Sequence, residues 1–398
     1  MKKITILLVA IFTLSKVVNA QWTEVNSDMP NAGISTDVES FAAIGTQLLA
    51  ATNTGVYLTN NNGSSWSGVN SGITNTDIEA LAAIGTKLFA GTGNGIFKSN
   101  DNGSTWTSIS TGLDISMGTS VYSLFASGTN LFAGTEAGVA LSAPPYTSWT
   151  MINTGLTKTD VYAFAQIGNN IFAGILFSGV FVTNNNGGSW TAVNSGLPTG
   201  FNSDFESFAV SGPNLFAADL GGGIFLSTNN GTSWTGINTG LTELSVHALA
   251  ISGQNIFAGT DAGVFLSNNN GGSWVQMNIG LTNLTVQSLT IFGTYLFAGT
   301  TNGVFRASLN SFVGINEMQN ENMQVSIYPN PSNGIFTITS NKIEKTKIEI
   351  YNSIGECILN GELTKGTDDI NLSDLPNGIY SIKLTGENWT EHKKIIKG

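Results

Sequence analysis

"LFAGTGNGIFKSNDNGSTW", residues 88–106, is one copy of a unit that recurs through most of this 398-residue chain. It holds two short apolar runs separated by glycine, then a polar turn, then a tryptophan. Successive tryptophans of this kind lie 40–44 residues apart, at Trp22, Trp66, Trp106, Trp149, Trp190, Trp234 and Trp274. A period in the low forties that contains several short strands is typical of β-propeller blades.

The number of blades follows from counting strands. Each unit begins with an alternating segment such as IEALAAI (residues 78–84), which predicts the innermost strand of a four-stranded blade. Seven such segments occur, but the last unit (residues 296–314) has no tryptophan strand. We therefore expect WTEV (residues 22–25) to supply the outer strand of the seventh blade and to close the ring. The prediction is a seven-bladed propeller over residues 21–310, with six or eight blades as alternatives.

The polar turn before each tryptophan predicts a structural element. Asn and Asp side chains bond nearby backbone N–H groups, and glycine accepts a positive φ. The phrase resembles the Asp-box, S-x-D-x-G-x-T-W, but only Asp101 keeps the acid, and asparagine replaces it in four other units. An asparagine cannot act as a general acid, so we assign these turns a structural role. The residues assigned to them are Asp101, Gly103, Trp106, Trp66, Trp190, Trp234 and Trp274.

The repeat resembles the Asp-box propellers, which include sialidases, sortilin-type receptors, xyloglucan-active glycosidases and photosystem II assembly-factor-like proteins. The resemblance implies the fold, whereas the activities within the class are unrelated. Sialidases hold their substrate's carboxylate with three arginines, and this chain has only Arg306. The resemblance therefore does not extend to sialidase activity.

Charge excludes some partners. The chain carries a net charge of −11, and its first 20 residues hold three lysines and no acid, which leaves −14 on the remainder. Such a surface repels phosphate backbones and anionic membranes, so no nucleic-acid partner is expected. Cys357 is the only cysteine; it cannot form an intramolecular disulfide, and we expect it to be a small core residue.

The N-terminus has the pattern of a secretory signal. A basic start, Met1-Lys2-Lys3, is followed by an apolar run from Ile4 to Leu14 and by SKVVNA. The run is too short to span a bilayer, so we predict a signal peptide over residues 1–20, cleaved before Gln21. We expect no transmembrane segment after its removal.

The C-terminal segment, residues 323–398, predicts a small Ig-like antiparallel β-sandwich after a linker at residues 311–322. Its strands are punctuated by Pro and Asn-Gly turns. YPNP (328–331), LPNGIY (375–380) and the lysine-bearing KKIIK (393–397) resemble, in order, the C-terminal sorting domain of the type IX secretion system of Bacteroidota-type bacteria. That resemblance implies the secretion machinery as a partner and passage through the periplasm and outer membrane to the cell surface or medium. The alternative is an ordinary Ig-like binding module.

Candidate ligand residues lie where the chain enters the innermost strands. One column of equivalent positions holds Asp37, Asp77, Ser120, Asp160, Asp204, Ser245 and Thr285. Two residues later, a second column holds Glu39, Glu79, Tyr122, Tyr162, Glu206, His247 and Gln287. Because residues i and i+2 of a strand point the same way, both columns are expected to face the channel, joined by Glu136, Asp219 and Asp261. The candidate ligand rim is Asp37, Asp77, Asp160, Asp204, Tyr122, Tyr162, Glu206 and His247. The alternative is that these residues only solvate the mouth and cap strand starts.

The first functional hypothesis is a secreted or cell-surface, non-enzymatic propeller that binds a polysaccharide or a surface protein. The alternative is a glycoside hydrolase acting on β-glucan or xyloglucan, which needs two carboxyl groups across a substrate-sized gap. The acids recur as part of the repeat, and no residues can be assigned as catalytic; this favours binding. His247 is the only histidine of the propeller, so neither a histidine metal site nor a Ser-His-Asp triad is expected, and we predict no metal or cofactor.

Overall fold

The structure is a computed structural model that describes residues 21–26, 28–29, 36–113, 120–198, 204–312, 325–340, 346–352, 356–363, 367–385 and 390–398. The predicted signal peptide and residues 313–322 of the predicted linker lie outside these ranges. The chain divides into two compact units, Met1–Ser311 and Phe312–Gly398. No helix among the described residues has the length and apolar character needed to cross a membrane.

The first unit contains seven four-stranded antiparallel sheets, which confirms the seven-bladed propeller. Blade 1 consists of β2 (Val38–Ile44), β3 (Gln47–Thr52), β4 (Gly55–Thr59) and β5 (Ser67–Gly68). Blade 2 consists of β6 (Ile78–Ile84), β7 (Lys87–Thr92), β8 (Gly95–Ser99) and β9 (Thr107–Ser108). Blade 3 consists of β10 (Val121–Ser127), β11 (Asn130–Thr135), β12 (Gly138–Ser142) and β13 (Thr150–Met151). Blade 4 consists of β14 (Val161–Ile167), β15 (Asn170–Ile175), β16 (Gly179–Thr183) and β17 (Thr191–Ala192).

The remaining blades follow the same order from the innermost strand outward. Blade 5 consists of β18 (Phe205–Ser211), β19 (Asn214–Asp219), β20 (Gly223–Ser227) and β21 (Thr235–Gly236). Blade 6 consists of β22 (Val246–Ser252), β23 (Asn255–Thr260), β24 (Gly263–Ser267) and β25 (Val275–Gln276). Blade 7 consists of β26 (Val286–Phe292), β27 (Tyr295–Thr300), β28 (Gly303–Ser308) and, as its outer strand, β1 (Trp22–Glu24). A 3-10 helix, Leu309–Phe312, follows blade 7.

The ring closes at blade 7 through the pairing that the tryptophan count predicts. Trp22 lies opposite Ala307, and Glu24 lies opposite Phe305. The Ser288 hydroxyl of blade 7 also donates to the Val38 carbonyl of blade 1 at 2.6 Å. These contacts join the two ends of the propeller sequence without a disulfide, so the closed ring has no long unpaired edge.

The tryptophans link neighbouring blades. Each indole N–H donates to a backbone carbonyl of the preceding blade, for example from Trp106 to Val69 at 2.7 Å and from Trp66 to Val25 at 2.8 Å. These indoles are buried, as are the equivalent second-strand phenylalanines Phe89, Phe132, Phe172, Phe216, Phe257 and Phe297. Phe89 of blade 2 belongs to one buried cluster with Trp149 of blade 3, so the repeat places both large aromatic groups between neighbouring blades.

The Asp-box turns have the structural role predicted for them. Asp101 accepts hydrogen bonds from the Ser99 hydroxyl at 2.7 Å and the Thr105 backbone N–H at 2.9 Å. Asn61 makes the equivalent contacts with Thr59 and Ser65. The glycine that follows takes a positive φ, 87° at Gly103. Because an amide oxygen accepts the same bonds as a carboxylate, asparagine keeps the turn.

The second unit contains two antiparallel sheets with a shared core. The first sheet holds β29 (Val325–Tyr328), β30 (Ile335–Ser340) and β33 (Thr367–Asn371). The second holds β31 (Thr346–Tyr351), β32 (Cys357–Leu363), β34 (Gly378–Thr385) and β35 (Thr390–Lys397). Both sheets contribute to one buried cluster that includes Phe336 and Ile382. The expectation that Cys357 is a core residue is wrong: the thiol lies at the start of β32 and is exposed.

Candidate ligand site at the mouth of the propeller

Two sets of loops meet at one end of the propeller. In five blades, the residue before the innermost strand has a carbonyl that accepts a hydrogen bond from the hairpin between the second and third strands of the same blade. Examples are Leu176 N–H to Asp160 at 2.9 Å and Leu220 N–H to Asp204 at 2.8 Å. The two predicted columns and these hairpins therefore lie at the same face. The Asp-box turns join the third and fourth strands, at the other end of the third strand.

A cavity of about 420 Å³ opens at this face. It is lined by Asp77 and by the whole second column, Glu39, Glu79, Tyr122, Tyr162, Glu206, His247 and Gln287. A second cavity of about 250 Å³ shares the residues of the second column and extends along the innermost strands to residues such as Leu249 and Thr290. Seven equivalent positions, one from each blade, thus form the mouth of the central channel.

A β-bulge explains why the second column lines the cavity and most of the first does not. In every innermost strand the pairing shifts at this position: Val38 opposes Thr52, and Ser40 opposes Ala51, which leaves Glu39 as the extra residue. A bulge interrupts simple alternation and re-aims the side chain of the extra residue. Residues i and i+2 on either side of the bulged position therefore need not point the same way. Asp37, Asp160 and Asp204 precede the strands but are not among the residues that line the cavity.

The candidate rim is thus brought together only in part. Asp77, Tyr122, Tyr162, Glu206 and His247 line the cavity. Glu39, Glu79 and Gln287 also line the cavity, although the candidate rim does not include them. The sequence carries a signal for them, since they occupy the same repeat position as Tyr122, Glu206 and His247.

His247 joins two blades by hydrogen bonds to two carboxylates. Its Nδ1 lies 2.7 Å from Glu206 Oε2, and its Nε2 lies 3.1 Å from Asp261 Oδ1. Burial lowers the pKa of His247, but the hydrogen bonds and charges of Glu206 and Asp261 outweigh this, and the net shift is upward. Protonated, the ring donates both of its N–H groups to these carboxylates. Both ring nitrogens of His247 are thus hydrogen-bonded to carboxylates of the site.

The carboxyl groups around the mouth repel one another. Burial, followed by the charges of Asp37 and Asp77, raises the pKa of Glu39 to about 7. Burial, followed by the charges of Asp77 and Glu39, raises the pKa of Glu79 to about 7. Near neutral pH each of these groups is therefore divided between a protonated form, which donates a hydrogen bond, and an ionised form, which only accepts.

The same repulsion extends into blade 5 behind the mouth. Burial and the charges of Glu206 and Asp219 raise the pKa of Asp204 to about 7. Asp219 has no exposed surface, and burial raises its pKa to about 6 although it accepts a hydrogen bond from the Asp204 backbone N–H at 2.9 Å. These two carboxyl groups interact with the charge of Glu206, but neither lines the cavity.

Two tyrosines give one side of the mouth an aromatic surface. The rings of Tyr122 in blade 3 and Tyr162 in blade 4 are stacked, with centroids 4.5 Å apart and planes 10° from parallel. Burial, followed by the charge of Glu136, raises the pKa of Tyr122; burial, followed by Tyr122 itself, raises that of Tyr162. Both phenols therefore stay protonated at neutral pH.

The mouth thus combines carboxyl, imidazole, amide and phenol groups in one concave site. Such a site can form many hydrogen bonds to hydroxyl groups and offers ring faces to an apolar surface. Among the described residues, no group of three or more His, Cys, Asp or Glu side chains has an arrangement that would hold a metal ion.

The sandwich unit can be assigned by comparison with known proteins. Residues 326–398 match the family described as "Secretion system C-terminal sorting domain". The chain carries a type IX sorting domain. It is therefore a β-propeller that is secreted or displayed at the cell surface in Bacteroidota, and its sorting domain implies interaction with the type IX secretion machinery.

A curated relative shares a short segment with this chain. It is an endo-acting ulvan lyase of Formosa agariphila, 35% identical over 74 residues, which is 18% of this chain and 14% of the lyase. An alignment of that length is far shorter than the propeller.

Solved structures resemble the fold. The extracellular domain of a one-component system from B. thetaiotaomicron has a TM-score of 0.62 and 16% identity, over 94% of this chain and 52% of that one. The GH74 enzyme of Niastella koreensis has a TM-score of 0.52 and 20% identity, over 69% of this chain and 43% of the enzyme. This chain thus spans about half the length of these proteins. Identities this low show a common fold.

Proposed function

We propose that this protein is a non-enzymatic binding protein, delivered to the cell surface or medium, whose mouth holds a neutral polysaccharide. The observation that carries the proposal is the lining of the 420 Å³ cavity: all of its residues are polar or aromatic, and seven occupy the same position in seven blades. A sugar presents hydroxyl groups around an apolar ring face. Carboxyl, amide and imidazole groups suit the hydroxyls, and the Tyr122–Tyr162 pair suits the ring face.

Charge supports a neutral glycan rather than an anionic one. Glu39, Asp77, Glu79 and Glu206 face the same small cavity, and burial together with repulsion among such groups already raises the pKa of Glu39 and Glu79 to about 7. A uronate or sulfate group placed there would add to this repulsion and lose its own solvation. A neutral sugar would meet groups that both donate and accept hydrogen bonds at neutral pH.

A second candidate function, glycoside hydrolysis, is favoured by one specific observation. A general acid for this reaction needs a carboxyl group that stays protonated near neutral pH, and Glu79, with its pKa at about 7, meets that requirement. Glu206, which lies 2.7 Å from His247 Nδ1, is the candidate for the second carboxyl group. Binding without catalysis remains our proposal, because acidic residues recur at equivalent positions of several blades and no single one of them is distinguished as a catalytic residue.

The test is a polysaccharide array followed by titration calorimetry on the chain from residue 21 to 398. We expect binding to at least one neutral glycan. Glu206→Gln should weaken it at least tenfold, because the change alters the contact between Glu206 and His247 in the lining of the cavity. Asp101→Asn is the matched control: it is also a carboxylate-to-amide change, but in an Asp-box turn where other blades already carry asparagine. It should leave affinity unchanged.

Three outcomes would alter the proposal. If no neutral glycan binds, polysaccharide binding is wrong, and a protein partner becomes the hypothesis to test. If Glu206→Gln and Asp101→Asn weaken binding equally, the mouth is not the site. If incubation releases reducing ends and Glu79→Gln stops the release while binding persists, the protein is a hydrolase.

A further inference from the structure

One hairpin on the mouth face differs from most of its counterparts. In five blades, two residues connect the second strand to the third, as in Thr52 to Gly55 of blade 1. Blades 4 and 5 have three residues there, 176–178 and 220–222. The longer hairpins project an extra residue at the face where the cavity opens.

The extra hairpin residue in blade 4 is an aromatic one in an unfavourable backbone conformation. Phe177 has a φ of 56°, and its side chain is 43% exposed. The corresponding residue of blade 5 is Gly221, with a φ of 104°. A positive φ is ordinary for glycine and unusual for a bulky side chain, and such outliers concentrate at functional sites. An exposed phenylalanine in that conformation points to a role at the surface.

The hairpin is held firmly against the strand that carries Tyr162. Leu176 N–H donates to the Asp160 carbonyl at 2.9 Å, and Asp160 is two residues before Tyr162 in the chain. Ser178 N–H donates to the Ile175 carbonyl at 3.0 Å, and the Asn194 amide donates to the Ser178 carbonyl at 2.9 Å. The ring is thus presented from a fixed backbone beside one wall of the cavity.

We propose that Phe177 is a second aromatic platform, which binds a sugar residue of a neutral polysaccharide whose neighbouring residues occupy the cavity. This inference rests on the proposed function and deepens it: the site takes an extended chain rather than a single sugar. Ser178 follows Phe177 on the hairpin, and its Oγ lies 2.5 Å from Thr157 Oγ1 of the segment before β14. A flat apolar face bordered by hydroxyls matches a pyranose ring better than it matches an apolar peptide side chain.

The experiment compares a short and a long neutral β-glucan, cellobiose and cellohexaose, by titration calorimetry on the full chain. Phe177→Ala should weaken cellohexaose binding about fivefold, because the variant lacks the exposed apolar ring that a sugar residue would cover on binding. It should leave cellobiose, which fits within the cavity, unchanged. Phe177→Trp should retain the affinity for cellohexaose. Val275→Ala removes an equally exposed apolar side chain from the outer strand of blade 6 and serves as the control.

Each result decides between the two proposals. If wild type binds both sugars and Phe177→Ala binds both as tightly, the platform is wrong and the mouth site stands. If Phe177→Ala weakens both sugars equally, Phe177 shapes the cavity and does not form a separate subsite. If Tyr162→Ala weakens both sugars while Phe177→Ala weakens only cellohexaose, both proposals are supported. If wild type binds neither sugar, the platform proposal fails, and the polysaccharide array alone decides whether the mouth proposal stands.

Discussion

Replacing Glu39 with glutamine should stabilise the propeller at high pH and leave it unchanged at low pH. Burial and the charges of Asp37, Asp77 and Glu206 raise the pKa of Glu39 from 4.5 to about 7. A carboxyl group whose pKa is raised by folding binds more protons in the folded than in the unfolded protein between these two values. Its ionisation therefore lowers the free energy of unfolding as pH rises from about 4.5 to about 7.

The size of the effect follows from the same shift. A rise of the pKa from 4.5 to about 7 corresponds to about 3 kcal/mol of destabilisation once Glu39 is fully ionised. The other mouth carboxylates remain in the variant, and water in the cavity screens part of the repulsion. We therefore expect Glu39→Gln to recover about 1–2 kcal/mol at pH ~8 and nothing at pH ~4.

Thermal unfolding, monitored by tryptophan fluorescence, measures the difference in stability between Glu39→Gln and wild type. The signal reports the propeller, since seven of the eight tryptophans belong to it. For a domain of this size, each kcal/mol raises Tm by roughly 2–4 °C. Asp101→Asn is the control, because hydrogen bonds from Thr105 lower the pKa of that exposed carboxyl; it should give no gain at high pH. The reasoning is refuted if Glu39→Gln melts no higher than wild type at high pH, or if it gains equally at low pH.

Two further predictions concern stability. Trp22→Ala should lower the free energy of unfolding by about 3–5 kcal/mol, because Trp22 is 1% exposed and its indole donates to the Met277 carbonyl at 2.6 Å across the closure; urea unfolding measures the loss, and a change below about 1 kcal/mol would contradict it. Lys397→Met should destabilise the sorting domain by about 1–3 kcal/mol, because the buried ammonium donates to the Ser373 and Leu375 carbonyls, which would lose their partner. Hydrogen exchange should then rise in residues 367–398 and stay unchanged in the propeller. Equal exchange in wild type and variant would show that Lys397 does not stabilise the loop between β33 and β34, which contains Ser373 and Leu375.

Much of the fold could be predicted because it depends on local, repeated patterns. The spacing of Trp66, Trp106 and their equivalents sets the blade length, and the missing tryptophan strand of the last unit indicated that WTEV would complete it. The Asp-box turns were predictable for the same reason: the bonds of Asp101 join atoms only two to four residues apart. Nothing local distinguishes the exposed Cys357 from a core residue, and that expectation was wrong.

The sequence by itself determined the repeat, the closure of the ring and the sorting domain, because each is written in short motifs or in a fixed spacing. Only the tertiary structure decided which of two polar columns faces the cavity, because a bulge at Glu39 and at each equivalent position breaks the alternation on which a sequence argument relies. It also decided the electrostatics of the mouth: His247 and Asp261, 14 residues apart in the chain, meet within blade 6, and Glu206, 41 residues before His247, joins them only when blades 5 and 6 pack side by side. Charge repulsion and burial depend on those distances through space, and no spacing along the chain encodes them.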